Sequence, residues 1–471
     1  MMGELVLKEL HDHLLSLRFQ AGFLLALVLV SASAFVLSSN YQRDNAEYVQ
    51  RLRQEDDFLR RYAHLNRLGG VLTARRPPAA MALVRGLANE AGMETLDSDP
   101  MLEMFPPMDL PAVVAIIFSL FGIVLGFDAI NGERERGTLR LVLANPVRRF
   151  ELLAAKWAGG MLVLAAAFVA AVLAGAGIVL ARSGAHWSRE EWLAFAGVCA
   201  ASLVYCGAFY SLALMFSALA RRSSVSVLAS VFGWVLLVLV IPNVSPYVAA
   251  QFAPLPSAAA MERDQRYITS EERDELGRAG QRKVQEKYRG RFEFGDVASE
   301  EARRRIAADP AQRRLYQQMR NEIEAVWAEV NRRQREKAMR LQETYQDRTK
   351  RQFELSRWIS YASPLPPLLY ASTELAATGF ESQERFRAQA RAYGSGLGQY
   401  VRRRYKEEQS KNPAFGVNDF LDVSGRPRFE YAPPPFADRL AVAQRFFAML
   451  AGWNAALFLG AVLAFLRFDV R

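Results

Sequence analysis

Six stretches of the chain are apolar over about twenty residues or more: 19–38, 111–130, 153–181, 192–220, 225–249 and 441–468. That length lets a helix cross a hydrocarbon core of about 30 Å with every backbone polar group satisfied inside the segment. A shorter apolar run at 365–377 is expected to be interfacial or re-entrant. Ahead of the first run, Val6, Leu7, Leu10, Leu14 and Leu17 share one helical face while Glu4, Lys8, Glu9 and Asp12 fall elsewhere. This predicts an amphipathic interfacial helix over 1–18, lying flat at the membrane surface. Ser31-Ala32-Ser33-Ala34 resembles a signal-cleavage site, but the acidic and long leading segment is wrong for a signal peptide, so a retained first span is expected.

Between the spans lie two polar stretches, 39–110 and 250–440. In the second, nothing breaks a helix from Ala311 to about Ser360, and Leu315, Met319, Ile323, Val326, Val330, Leu341 and Tyr345 are mostly spaced by three or four. At 1.5 Å per residue such a helix reaches about 70 Å. Shorter polar helices over 261–290 and 381–408 are expected to pack on it as a bundle or hairpin; the alternative is a mobile charged arm. The expected fold class is an all-α membrane protein, with six transmembrane helices, an N-terminal interfacial helix and a large helical insert between spans five and six.

Composition alone points elsewhere. With 471 residues, 23% of them charged, and a mean hydropathy of −0.01, the chain resembles about three soluble domains. The charge is concentrated, however: residues 251–440 carry 35 Lys plus Arg and 28 Asp plus Glu. The net charge of +10 and pI near 9.6 are better explained by basic loops and snorkelling arginines than by nucleic-acid binding. Arg134, Arg136, Arg140, Arg148 and Arg149 follow span two, Arg221 and Arg222 follow span four, and Arg467 and Arg471 follow span six. By the positive-inside rule these loops and both termini are cytoplasmic, which leaves 39–110 and 250–440 outside.

The scarcity of chemistry-bearing residues excludes several classes. Cys199 and Cys206, seven apart on one helix, would lie about 10 Å apart, too far for a mutual disulfide. The four histidines form no HExxH pair, so a zinc protease is not expected, and no metal site can be inferred. No G-x-x-x-x-G-K-[ST] phosphate loop occurs; the nearest string, from Gly277, has the wrong spacing. The spans show no acid pair or Ser-Lys dyad, so the chain is not expected to be an enzyme. Asp128, Asn243, Gln444 and Asn454 are the polar candidates for a path through the spans or for interhelical hydrogen bonds. Small residues such as Gly159, Gly160, Gly175, Gly177, Gly197, Ala201 and Gly207 are expected to permit close helix approach.

The 131–152 loop between spans two and three is the most informative segment. Its Gly132-Glu133-Arg134-Glu135-Arg136-Gly137-Thr138-Leu139 stretch leads to Leu139, Val142 and Leu143 at helical spacing. Asn145-Pro146 then reads as an N-cap with proline at N1, opening the helix of span three. A short apolar stripe flanked by acids and arginines suits docking into another protein; a solvated basic loop is the plain alternative.

This stretch, continuing to Ala144-Asn145-Pro146-Val147-Arg148-Arg149, resembles the coupling-helix region of ABC-2 type transporter permeases, where E-x-x-x-G-T-L is followed by a small residue, x and Pro. The order of interfacial helix, six spans and coupling loop is similar too, and Arg76-Pro77-Pro78 to Gly86 and Ser363-Pro364 to Thr378-Gly379 resemble the subgroup with large extracytoplasmic loops, such as gliding-motility and nitrous-oxide-reductase-maturation permeases. The resemblance implies a permease subunit of an exporter in the bacterial inner membrane. It would pair with a second permease chain, identical or not, and with two copies of a separate ATPase that binds ATP and Mg. This chain itself would hold no cofactor. Glu133 and Glu135 would contact the ATPase, Gly137 and Thr138 would form the tight entry, and Leu139, Val142 and Leu143 the docked face, with Pro146 beyond. The rival reading is a membrane anchor or mechanotransmitter whose external helices bind a partner protein. Substrate identity is not legible in the residues.

Overall fold

The computed structural model describes residues 2–62, 75–86, 108–144, 148–184, 187–291, 309–411 and 420–467. All regular structure among them is helical. Six helices are long and apolar enough to cross a membrane: Leu17–Asp57, Leu110–Glu135, Arg149–Ser183, Arg189–Leu219, Ser223–Phe252 and Phe436–Leu466, here spans one to six. The protein is an all-α membrane protein. Outside the long spans we number α1 (Met2–Leu14), α2 (Asn131–Glu135, the end of span two), α3 (Thr138–Leu143), α4 (Ala258–Arg266), α5 (Arg273–Lys287), α6 (Pro310–Ser360), α7 (Leu365–Leu375) and α8 (Phe380–Lys411). The described chain divides into two compact units, one of Met1–Pro242 with Tyr361–Arg471 and one of Asn243–Ser360.

Span four is the hub of the first unit, 72% buried over its most apolar window against 22% for span six. It packs on spans two, five and six and on α7, while span one and α1 pack on span three. Small residues make this closeness possible. A Cβ at Gly175 would meet Val30 of span one at 2.9 Å, and one at Gly197 would meet Leu375 of α7 at the same distance. Gly177, by contrast, faces open space. Of the two expectations for the short apolar run, a surface helix does not hold: α7 packs in the bundle, with Leu368, Ala371 and Leu375 fully buried.

Two π-helical turns interrupt the spans, Val114–Phe118 in span two and Val235–Val240 in span five. A π turn displaces the regular hydrogen-bond ladder, so its carbonyls need other donors. Tyr205 Oη donates to Ala115 O at 3.2 Å, and Ser363 Oγ donates to Leu237 O. Trp234 Nε1 donates to Ser119 Oγ at 2.7 Å, which joins the two spans beside their π turns.

The helix of span one continues to Tyr62, well past the expected end at 38. No glycine or proline occurs between 39 and 62, and Glu47 pairs with both Arg43 and Arg51 at i,i+4 spacing, so the polar stretch has reason to stay helical. The segment at 75–86 packs near α7, where Arg75 donates to Ala377 O and Gly86 contacts Thr378. Arg439 at the start of span six donates to Leu375 O at 2.8 Å, so two guanidinium groups serve the carbonyl end of α7.

In the second unit α6 is unbroken over its 51 residues, matching the expected helix from 311 to 360. It runs antiparallel to α4 and α5, which a π turn at Tyr267–Glu272 connects. Val284, Tyr288 and Met319 form a small core, while Gly277 and Gly280 let Trp327 and Val326 approach the α5 backbone. Lys287–Glu322 at 2.8 Å and Lys337–Glu272 at 2.5 Å pin the register. The insert thus forms a packed hairpin rather than a loose arm. It is smaller than expected, because α8 belongs with the first unit.

Candidate functional site

The candidate site lies where span two ends. Its last turns pass through 127–130 into α2, and a left-handed Gly137 (φ 75°) turns the chain into α3. Only glycine takes that backbone conformation without strain. Thr138 Oγ1 donates to Glu133 O at 3.1 Å, which ties the two helices across the turn.

This α2–α3 segment is fastened to the bundle at several points. Asn131 is fully buried, and its backbone N–H and side-chain oxygen both meet Ser217 Oγ of span four at 3.3 Å. Glu135 accepts from Ser223 N at 2.8 Å and from Ser223 Oγ at 2.9 Å, holding the first turn of span five. Its position at that helix N-terminus also suits the helix dipole. Ser226 Oγ donates to Phe127 O at 2.7 Å. Asp128 accepts from Arg18 at 2.6 Å, which links the end of span two to the start of span one.

Glu133 turns inward. Lys156 of span three, with 2% of its side chain exposed, donates to Glu133 at 2.8 Å and to Glu9 of α1 at 2.7 Å. Lys8 approaches Glu133 at 3.9 Å. A buried ammonium of this kind is tolerable only because both carboxylates reach it. Around it the backbone is tightly packed. A Cβ on Gly159 would meet Glu9 Cβ at 2.7 Å, Gly160 lies against Tyr210, and Tyr210 Oη donates to Lys156 O at 3.1 Å. His13 is partly buried nearby, its Nε2 without a hydrogen-bond partner; burial holds its pKa below the ordinary 6.5, outweighing the opposing pull of Glu9.

Several expectations change. Glu9, expected on the polar side of α1, is buried, while Leu7, Leu14 and Leu17 are exposed. Leu139 is 2% exposed and belongs to the chain's own core, with Val142 packed against that core, so the expected docking stripe points inward. Leu141 is 71% exposed instead. The side chain of Leu143, and Asn145 and Pro146, lie outside the described residues. The described helix of span three runs from Arg149, and Glu151 accepts from the N–H of Arg148 at 3.3 Å at its start. Gly137 and Thr138 lie at the turn into α3.

Of the polar span candidates, Asn454 is interhelical. It accepts from Ser211 at 3.1 Å and donates to Val204 O at 3.2 Å, and Trp157 Nε1 completes the chain to Ser211 at 2.9 Å. Gln444 and Asn243 are exposed on their helices. The residue that sequence reasoning missed is Lys156. It sits three positions inside the expected third span, and an ionisable residue within a span is itself the signal that could have found it.

Among the described residues no cluster of His, Cys, Asp and Glu could hold a metal ion. The site is a short two-helix segment that, with residues 127–130 leading into it, is bonded to spans one, three, four and five and to α1, and Arg140 and Leu141 are exposed. A family model for the ABC-2 family transporter protein matches residues 4–470. No curated protein matches the chain significantly. With its six spans and a family match over nearly its whole length, this chain belongs to the ABC-2 transporter family, whose members are membrane components that work with an ABC ATPase.

Proposed function

We propose that this chain is the permease subunit of an ABC-2 exporter and that α2–α3 is its coupling element, docking on a separate ATPase that binds ATP and Mg. The observation that carries this reading is the fastening of α2–α3: its polar and apolar anchors reach four spans and α1, so a push on this segment reaches most of the bundle. The sequence resemblance supplies the nature of the partner. Leu141, Arg140, Arg136, Thr138 and Glu135 form the exposed side and are the contact residues of this proposal, Glu135 also holding Ser223; Leu139 and Glu133 act one step behind, transmitting the load. Two permease chains with two ATPases, cytoplasmic termini and an inner-membrane location complete the reading, with the substrate left open.

A photo-crosslinking amino acid at Leu141 tests it. In membranes containing the co-encoded ATPase, crosslinks to that ATPase should form from position 141 and not from Leu228, an exposed residue in the span-five helix. Equal yields from both positions would overturn the assignment of α2–α3. A second reading, mechanotransmission without translocation, is favoured by the second unit: α4 to α6 form a self-contained hairpin with its own core and ion pairs. Such a unit suits transmitting movement to a partner protein.

A further inference from the structure

We propose that Lys156 is a positioning residue of the coupling apparatus, joining α1, α2–α3 and span three into one body that moves as a unit. The inference rests on the reading of α2–α3 as the coupling element, but goes beyond it by naming what the element must carry along.

Three observations support it. The Lys156 ammonium is held by carboxylates from two separate elements, Glu9 at 2.7 Å and Glu133 at 2.8 Å. Each carboxylate is itself largely shielded, with 11% and 13% of its side chain exposed. Moving either element away would leave charge buried without its partner, which is far more costly than sliding an apolar contact. The two elements have other links to the bundle, yet this ion triad is where α1 and α2 meet through a common side chain. Finally, Lys156 cannot yield by moving its own backbone: Gly159 seats α1, Gly160 seats Tyr210, and the Lys156 carbonyl accepts the Tyr210 hydroxyl. A lysine suits the role because its flexible stem delivers one point charge to two acids arriving from different directions.

The consequence concerns α1. Its Leu7 and Leu14 are exposed, together with Leu15 and Leu17 just beyond it, an apolar margin suited to the bilayer interface. Through Lys156 the coupling element is tied to this margin, so α2–α3 cannot tilt without tilting α1 with it.

The test uses the full chain in lipid nanodiscs, with Cys199 and Cys206 replaced by alanine and nitroxide labels at Leu7→Cys on α1 and Arg140→Cys on α3. Electron–electron resonance reads the distance distribution between them. In the otherwise native protein a single narrow distance is expected. Glu133→Met removes the link while leaving the Lys156–Glu9 pair, and the neutral triple variant Glu9→Gln, Lys156→Met, Glu133→Gln removes all charge. Either change should broaden the distribution about twofold; the triple variant should do so at an unchanged melting temperature, since neutralising a whole buried cluster is often thermally neutral. Lys156→Arg, which keeps the charge, should restore a narrow distance. A width unchanged in a folded Glu133→Met protein would overturn the proposal, whether or not the triple variant folds. No ATPase is present, so the outcome is independent of whether α2–α3 binds one.

Discussion

At the scale of single residues, charge does its work here by being buried. Lys156→Met alone would leave Glu9 and Glu133 facing each other with only the more distant, half-exposed Lys8 beside Glu133. Removing one partner of a buried ion pair costs about 3–5 kcal/mol, so this variant should show a markedly lower melting temperature in detergent than the neutral triple variant. If the two melt alike, the triad is more solvated than its exposure indicates. His13 offers a pH test. Its folded-state pKa is lowered, chiefly by burial, so the fold favours the neutral ring. That contribution is intact above the ordinary value of 6.5 and is lost as pH falls through it, because the unfolded chain then binds a proton that the folded chain resists. Melting temperature should drop between pH 7.5 and about 5.5, and His13→Phe should flatten the slope. An unaltered slope would place the titration elsewhere. These residues also show where sequence reading stops. Lys156 and Glu9 are 147 positions apart, and nothing local in either neighbourhood announces the other. Leu139 has the spacing of a docking stripe, and only the packed bundle reveals that its side chain is taken up internally.

At the scale of elements, the long apolar runs were legible because membrane crossing imposes length and uniform apolarity on one continuous segment, with no long-range partner required. The 51-residue α6 was legible for a related reason: an absence of breakers and a steady three-four spacing are local facts. The π turns were not, since they show no composition of their own; Trp234 bonds Ser119 beside them. That bond makes a specific prediction. Trp234→Phe keeps the packing ring but loses the indole donor, and because Ser119 still donates to Ala115 O, the cost should be modest, about 1 kcal/mol by denaturant titration. A cost of several kcal/mol would mean that the two π turns are cooperatively stabilised by this bond. In the second unit, Gly277→Leu would force Trp327 away from α5 and should open the hairpin to limited proteolysis within α4 and α5. Protection equal to that of the native chain would show that the hairpin holds by its ion pairs alone.

At the scale of the whole molecule, a near-zero mean hydropathy results from averaging two very different bodies, a bundle of apolar spans and a charged helical hairpin. The bundle gathers the ends of spans two, three, four and five with α1 and the start of span one around α2–α3. Arg149 at the start of span three adds the end of span six by donating to Leu466 O at 3.0 Å. Such convergence on a segment of about a dozen residues is what a single point of force entry requires, and the family's ATPase partnership supplies a source of force. In the proposed function, force enters through the exposed side of α2–α3 and is passed on by its bonds to the bundle. The most direct measurement is ATP turnover by the co-encoded ATPase reconstituted with this chain in nanodiscs. Leu141→Asp and Glu133→Met should each change the permease-dependent turnover at least about tenfold, equivalent to about 1.4 kcal/mol of coupling, with only Leu141→Asp also weakening ATPase binding. Turnover and binding unchanged by both substitutions would contradict the account.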